Sequence, residues 1–332
     1  MNRTKMEKRL LEFDVAKAIC IVLVVIGHYV PDDMPRWWRV IHDVIYSFHM
    51  PLFMFASGYV FIAFKKNETY SKFLEKKVKR LMLPYVVTSI IVITIKLLTQ
   101  RGLYVENPVT WMSYIKMLYL PEAGYFLWFI WALWWMFCIV PFFKSKNARL
   151  ALFGVAGIIH FFPMELTEIL CLRQASSMLV YFMLGVVCFD WKKQVGVLKR
   201  IPALAIYLVF IGFEIAGNSF TDDIVSKFIG WILPFVGIGM VMALSSQIAK
   251  IGAPKALIII SSSSYLIYLF HTTFMGFAKA FVHKVSLMNG ESDLWFSIGA
   301  FVVVTAGVVC PVLLHRQVLN RWKVTKVLFG LK

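Results

Sequence analysis

Charged residues are scarce in this chain, and acidic residues are scarcer than basic ones. Only 16% of the 332 residues are charged, 60% are hydrophobic, and Lys and Arg outnumber Asp and Glu by 35 to 18. A soluble domain carries about 25% charged residues, so a soluble globular protein is excluded. A net charge of +17 would indicate nucleic acid in a soluble protein, but here the cations stand in short clusters between apolar runs. That pattern predicts membrane lipids as partners and no nucleic acid.

Cysteine motifs, repeats and low-complexity stretches are also lacking. The five cysteines lie far apart in or beside apolar stretches, without CxxC spacing. Neither a disulfide framework nor a metal site is therefore expected. The basic N-terminus resembles a signal peptide, but no small-x-small cleavage site follows it, so we expect a permanent first span. With no soluble domain in between, residues 1–332 are expected to form a single transmembrane domain.

Ten apolar segments approach the length of about 20 residues that a membrane-spanning helix needs. They lie near 13–31, 44–64, 82–99, 124–143, 149–163, 175–190, 198–216, 226–246, 256–280 and 294–315. The fifth and sixth are short, which leaves the count open by one or two. The sequence predicts an all-α, polytopic integral membrane protein with about ten transmembrane helices.

Lys and Arg are distributed unequally between the two sides of these segments. The side that holds both termini carries 25 of them and the other side 8. Because cytoplasmic loops carry the excess of basic residues, we expect both termini to be cytoplasmic.

The first span carries ionisable residues that a membrane tolerates poorly. Lys17 and His28 are eleven residues apart, close to three helical turns, so they share a face at a separation of about 16 Å. Asp14, three residues before Lys17, is expected to pair with it. The alternatives are a snorkelling Lys17 at the inner interface and a neutral His28 bonded to a neighbouring helix.

His49 is expected near the outer end of the second span, at about the depth of His28. Pro51 then falls in the first turn of that helix, where its missing N–H has no intrahelical partner. Gly58, in a run of small residues, is expected to let another helix approach closely. A solvated interface histidine is the alternative for His49.

Ser264, Tyr268 and His271 follow helical spacing on the ninth span, so they share a face and can line one cavity. Hydroxyls that serve helix packing, with one buried histidine, are the alternative. Histidines in the outer halves of three separate spans favour a shared site. Such a site suits proton transfer, because the ordinary pKa of histidine lies near neutrality.

On the inner side, a basic cluster precedes the third span. It comprises Lys72, Lys76, Lys77, Lys79 and Arg80. Contacts with lipid headgroups explain this cluster, and Lys77 and Arg80 can also hold the phosphates of an anionic ligand.

These residues stand in an ordered set of motifs. The set comprises Phe13-Asp14-Val-Ala-Lys17 with His28, Phe48-His49-Met50-Pro51, Lys77-Val-Lys-Arg80-Leu-Met-Leu-Pro84, Leu127-Trp128-Phe129 and Ser264-Tyr-Leu-Ile-Tyr268-Leu-Phe-His271. In this order they resemble the membrane acyltransferase family 3, in particular its fucose 4-O-acetylase-like branch, over nearly the whole chain.

The resemblance implies a ten-helix bacterial protein of the inner (cytoplasmic) membrane that acylates sugars, with acyl-CoA as co-substrate and no tightly bound cofactor. It gives His28 the position of the catalytic histidine and places Lys17, His49 and His271 in the same site. Lys17 stands where the family has Arg, so the charge is kept and the bidentate fork is lost. The expected substrate- and donor-binding residues are Asp14, Lys77, Arg80, Trp128, Ser264 and Tyr268.

The function implied is O-acyl transfer, with His28 as general base, from acetyl-CoA or another acyl-CoA to a hydroxyl of a carbohydrate or glycan precursor. A transporter or exporter of glycan or lipid-linked glycan, whose path the same polar residues would line, is the alternative. A peptidoglycan or lipid acceptor also stays open. We expect coenzyme A to enter from the cytoplasmic side and its pantetheine arm to follow a polar channel beside the Lys17–His28 face.

Overall fold

A computed structural model describes residues 3–32, 34–102, 105, 107–195, 201–219, 223–284 and 293–331. Almost all of these residues are helical, and none of them lies in a β-strand. The all-α prediction is therefore confirmed for the part of the chain that the structure describes.

The main helices follow the apolar segments of the sequence. They are α1 (Arg3–Gly27), α2 (Arg36–Ala63), α3 (Tyr70–Lys77), α4 (Leu83–Thr99), α5 (Trp128–Ile139), α6 (Lys146–Phe161), α7 (Leu172–Asp190), α8 (Ala203–Ser219), α9 (Asp223–Ile251), α10 (Lys255–Lys284) and α11 (Asp293–Leu313). Short helical turns lie at Ser113–Lys116, Tyr125–Leu127, Val140–Phe142, Ile169–Cys171, Lys192–Val195 and Lys323–Leu328. π-helical segments at Val78–Met82 and Leu314–Leu319 extend α4 and α11 at one end each.

Seven helices in the described ranges are long and apolar enough to cross a membrane. They are Arg36–Ala63, Tyr70–Thr99, Tyr125–Phe142, Ile169–Asp190, Ile224–Ile251, Lys255–Lys284 and Asp293–Leu319. Three further helices fall short of these criteria. α8 is apolar but shorter, α6 has only 16 residues, and charged residues interrupt the apolar sequence of α1. Each of the ten predicted segments overlaps a helix, but the number of crossings stays a prediction.

Two helices are longer than the apolar runs that predicted them. α2 begins at Arg36, so Pro51 lies inside the helix and His49 near its midpoint. α10 continues to Lys284, which places His271 near its midpoint as well. The predicted position of Pro51 in a first turn is therefore wrong, whereas the depth of both histidines in the membrane stays a prediction. The reason is that hydropathy marks the apolar part of a helix, whereas a helix continues into polar sequence wherever its backbone hydrogen bonds can form.

The segment between α4 and α5 folds back along α4. The Gln100 side chain, just after α4, donates to and accepts from the Val109 backbone at 3.0 Å in both bonds. The hydroxyl of Tyr85, near the other end of α4, donates to the Met117 carbonyl at 2.5 Å. These bonds attach the segment to α4 near both ends of the helix. Phe126, which follows, lies in the interior of the bundle, where its side chain is 8% exposed.

α2 and α7 pack with their backbones in close approach. A Cβ atom built on Gly58 would overlap the backbone of Phe182, and one built on Gly185 would overlap the backbone of Phe55. Only residues without a side chain allow this distance, as in other membrane helix pairs with small residues at the interface. The predicted close approach at Gly58 is confirmed.

A buried ion pair joins α6 to the end of α7. The guanidinium of Arg149 donates from Nε to one oxygen of Asp190 at 2.6 Å and from Nη2 to the other at 2.9 Å, and both side chains are less than 10% exposed. A third nitrogen, Nη1, donates to the Lys144 carbonyl at 2.6 Å. Partial burial, followed by the positive charge of Arg149, lowers the pKa of nearby Lys65. The bidentate geometry fixes the end of the bundle at which α6 begins.

The close approach of α2 and α7 generates a stability prediction. Gly58→Ala should destabilise the protein by about 1–3 kcal/mol, because the added methyl group would push two backbones apart. The matched control is Gly154→Ala on α6, where a Cβ would meet nothing within 4 Å. Thermal unfolding of the purified protein in detergent measures both variants, and equal melting temperatures would contradict the packing described.

Candidate functional site

Asp14 contacts Lys17 on its own helix and Ser261 on the tenth. Its Oδ1 lies 2.8 Å from the Lys17 ammonium and accepts a hydrogen bond of 3.1 Å from the Ser261 hydroxyl on α10. The predicted pairing of Asp14 with Lys17 is confirmed. Both members are partly exposed, at 34% for Lys17 and 41% for Asp14, so the pair remains open to an anionic ligand.

His28 and His271 meet although they lie at opposite ends of the chain. Their ring centroids are 4.8 Å apart, with the rings nearly perpendicular. The Phe126 ring contacts both, at 5.0 Å from His271 and 6.2 Å from His28. His28 stands just after the last residue of α1, whereas His271 is fully buried in α10. The predicted convergence of these two histidines is confirmed.

His49 joins the same cluster through Tyr46. The Tyr46 ring centroid lies 4.8 Å from that of His49 and 6.3 Å from that of His28. On its other side Tyr46 stacks on His42 at 4.2 Å. His49 is only 3% exposed, which excludes the solvated interface histidine, whereas Tyr46 is 44% exposed. A row of rings on α2 thus leads from the surface to the histidine cluster.

All three histidines form the same kind of hydrogen bond, from a ring nitrogen to a backbone carbonyl. Nδ1 of His28 lies 2.8 Å from the Val24 carbonyl, and Nδ1 of His49 lies 2.8 Å from the Ile45 carbonyl. Nδ1 of His271 lies 2.8 Å from the Tyr268 carbonyl. Because a carbonyl oxygen only accepts, Nδ1 must carry the proton, and in a neutral ring Nε2 is then the basic nitrogen. Nε2 of His271 is buried without a partner among the described residues.

Tyr268 holds the Tyr125–Leu127 turn against α10. Its hydroxyl donates to the Phe126 carbonyl at 2.5 Å, so in this structure that proton is not directed at a substrate. In the neutral His271 ring, Nε2 has a lone pair and no proton, so it cannot donate a hydrogen bond to a substrate either. Ser264, on the same helix, is partly buried. Trp128, at the start of α5, packs on the ring of the adjacent Phe129 and is partly buried too. The substrate-binding roles of these residues stay predictions.

The basic cluster before α4 is largely paired. Lys76 contacts Glu68, and Lys79 lies 2.6 Å from Glu75. Lys77 is partly buried, and its ammonium stands 3.6 Å from the centroid of the Phe137 ring in a cation–π contact. Arg80 is exposed, in the π-helical segment that follows. Exposed Arg80 and Lys72 are therefore better placed than Lys77 to meet a free anion.

The face of α1 between Lys17 and His28 is closed in this structure. Ile21 and Val24 lie on it and are 0% and 1% exposed. Both are apolar and packed into the core. The prediction of a polar channel beside this face is therefore wrong for this conformation. Sequence spacing shows which residues share the face, but it does not show what packs against them.

Tyr46 and Phe126 belong to the cluster but were not among the predicted site residues. Tyr46 stands three residues before His49, so helical spacing could have indicated it. Phe126 reaches the histidines only because its segment folds back into the bundle, and no local pattern indicates that. Within the described ranges, no group of three or more His, Cys, Asp or Glu residues could hold a metal ion.

The shared hydrogen bond generates a prediction about tautomers. At neutral pH, His28 and His271 should carry the proton on Nδ1, because each Nδ1 faces a carbonyl oxygen. Solid-state NMR of protein labelled with nitrogen-15 histidine distinguishes the two ring nitrogens, and His→Asn variants assign the signals. Exposed His283, at the end of α10, is the control and should give averaged signals. A protonated Nε2 in neutral His28 would contradict the geometry.

Comparison with known proteins agrees with the motifs in the sequence. Residues 10–315 match the model of a family described as an acyltransferase domain. Two similar curated proteins are both named Nodulation protein NolL. The protein of Mesorhizobium japonicum is 27% identical over 47% of this chain and 42% of its own length. The protein of Sinorhizobium fredii is 28% identical over 53% of this chain and 47% of its own length.

The chain thus spans less than half the length of these curated relatives, and no solved structure matches it. The family match covers nearly all of the chain, including the three histidines and the Asp14–Lys17 pair. The apolar helices described above account for a multi-pass membrane protein. The chain belongs to the membrane acyltransferase family 3, as its motifs predicted.

Proposed function

We propose that this protein is an O-acyltransferase that moves an acetyl or other acyl group from acyl-CoA to a hydroxyl of a carbohydrate or glycan precursor. The observation that carries the proposal is the contact of His28 with His271, with Nδ1 of each held by a carbonyl. In that arrangement Nε2, and not Nδ1, is the basic nitrogen of each ring, in a largely apolar site. The family match supports acyl transfer as the reaction class.

In the proposed step, Nε2 of His28 takes the proton of the acceptor hydroxyl as its oxygen attacks the thioester carbonyl. The carbon–oxygen bond forms, the carbon–sulfur bond then breaks, and the coenzyme A thiolate leaves. The protonated His28 returns the proton to that sulfur, so the products are an ester and coenzyme A. Nδ1 keeps its proton and its bond to the Val24 carbonyl throughout, which holds the ring in place.

The donor is proposed to approach from the end of the bundle that carries Lys17, Arg80 and Lys72. Coenzyme A is strongly anionic, and this end has cations that are exposed or partly exposed. Because Ile21 and Val24 close the face between Lys17 and His28, the pantetheine arm needs a local displacement of helices to reach His28. The donor-bound form is therefore expected to differ from this one around α1.

The remaining predictions of the sequence are part of the same proposal. They comprise about ten crossings, cytoplasmic termini, a single domain over 1–332 and the inner bacterial membrane as the location. The fucose 4-O-acetylase-like branch and a role in polysaccharide modification belong with them. The excess of Lys and Arg on one side, 25 against 8, supports the cytoplasmic termini alone.

His28→Asn should lower acyl transfer by roughly 100-fold or more, because asparagine keeps an N–H donor near Nδ1 but has no basic nitrogen. The measurement is acceptor-dependent release of coenzyme A by the purified protein, with mass spectrometry of the acylated product. His283→Asn, at the exposed end of α10, is the matched control and should retain full activity. Wild-type protein that transports a glycan and releases no coenzyme A would favour the transporter instead.

Lys17→Arg should keep activity, because arginine preserves the charge and can still pair with Asp14. Lys17→Leu should raise the donor KM by roughly tenfold, as expected when one charge-assisted contact is lost. Lys250→Leu, an exposed lysine near the end of α9, is the control for removing a cation. A donor KM unchanged by Lys17→Leu would assign Lys17 to the lipid interface.

A further inference from the structure

Two adjoining cavities open beside the segment that carries Phe126. The larger has a volume of about 450 Å³ and lies among α6, α7 and the chain between them. The smaller, of about 190 Å³, lies against the segment that folds back along α4. Tyr125, Glu168 and Gln174 line both. The two cavities form one groove, called here the Tyr125 groove, within the size range of about 300–1,000 Å³ found for small-molecule sites.

The wall of this groove combines one aromatic ring with several groups that both donate and accept hydrogen bonds. Tyr125 is 61% exposed, and its hydroxyl accepts a bond of 2.8 Å from the Gln174 amide nitrogen. The side-chain oxygen of Gln174, Oε1, is buried without a partner among the described residues. His160 and Ser177 line the larger cavity. An exposed ring beside polar groups suits a molecule that has both apolar faces and hydroxyls, such as a sugar ring.

The charged residues of the groove do not favour binding of the anionic donor, coenzyme A. Glu168 and Arg173 stand 3.7 Å apart and offset each other. Glu122, in the smaller cavity, adds a further carboxylate that accepts a bond from Ser113 and lies 4.0 Å from Lys116. Among the charged residues that line the groove, Glu122 and Glu168 outnumber the one cation, Arg173, so the groove offers no excess of positive charge to phosphates. An uncharged polyol needs no such excess.

Backbone strain is concentrated at the edge of the groove. Leu170 and Cys171, where α7 begins, have positive φ angles of 56° and 53°, a conformation that costs a residue with a side chain about 1–2 kcal/mol. Two long-range bonds hold Leu170 there, because its N–H donates to Tyr119 at 2.7 Å and its carbonyl accepts from the Trp135 indole at 3.0 Å. Strained residues of this kind cluster at binding sites.

The groove is connected to the histidine cluster by two consecutive residues. Tyr125 forms its wall, and the next residue, Phe126, contacts both His28 and His271. We propose that the Tyr125 groove binds the sugar ring of the acyl acceptor and directs one of its hydroxyls past Phe126 to His28. The inference rests on the proposed function for its purpose, but binding in the groove can be tested without acyl transfer.

The binding test uses saturation-transfer difference NMR with methyl glycosides of glucose, galactose, mannose, fucose and N-acetylglucosamine. The full chain is reconstituted in nanodiscs, because the headgroup of a maltoside detergent is itself a sugar. At least one glycoside should receive saturation from the wild type, and Tyr125→Ala and Glu168→Gln should lose most of that signal. The matched controls are Tyr70→Ala and Glu165→Gln, exposed residues outside both cavities.

Tyr125→Phe, which keeps the ring and loses only the bond to Gln174, should bind with intermediate strength. The proposal is overturned if no glycoside binds the wild type, or if the groove variants and their controls bind alike. Unchanged melting temperatures of the groove variants exclude misfolding as the cause of lost signal.

The kinetic test separates this inference from the proposed function. With the bound glycoside as acceptor, the groove variants should raise the acceptor KM by roughly tenfold and leave the donor KM unchanged. Coenzyme A release that depends on His28 but not on the groove would overturn the groove and keep acyl transfer. If the groove variants abolish glycoside binding but the wild type releases no coenzyme A, the groove is kept and acyl transfer is overturned.

Discussion

Each of the three clustered histidines bonds one ring nitrogen to a backbone carbonyl of its own helix, three or four residues earlier. Inside a membrane a buried polar group must find its partner within the protein, since water is absent. By using their own helices, the histidines need no carboxylate from another helix to fix the ring. The proton of each ring is thereby fixed on Nδ1, and the arrangement of the surrounding helices decides which rings meet.

The helices differ in how far they extend beyond this cluster. α1 stops at Gly27, just before His28, while α2 and α10 continue well past His49 and His271 in both directions. The space beyond Gly27, where α1 ends, is filled in part by the segment that folds back along α4 and carries Phe126 inward.

Those parts of the site that depend on spacing within one helix could be predicted from the sequence. The Asp14–Lys17 pair and the close approach at Gly58 follow from helical periodicity and residue size. The meeting of His28 with His271 followed from the cost of burying polar groups apart from one another. The positions of Pro51 and of the helix ends could not be predicted, because helices extend beyond their apolar runs. The role of Phe126 depends on long-range bonds, which leave no local pattern in the sequence.

The close approach at Gly58 and Gly185 also limits how the protein can move. Because the backbones of α2 and α7 approach closely there, we expect the two helices to move together as one body. α7 begins beside the Tyr125 groove and α2 carries His49, so that body would keep one wall of the groove in register with part of the histidine cluster. Under the proposed function, the opening that admits the donor is therefore expected where α1 packs against α10 and α11, and not between α2 and α7.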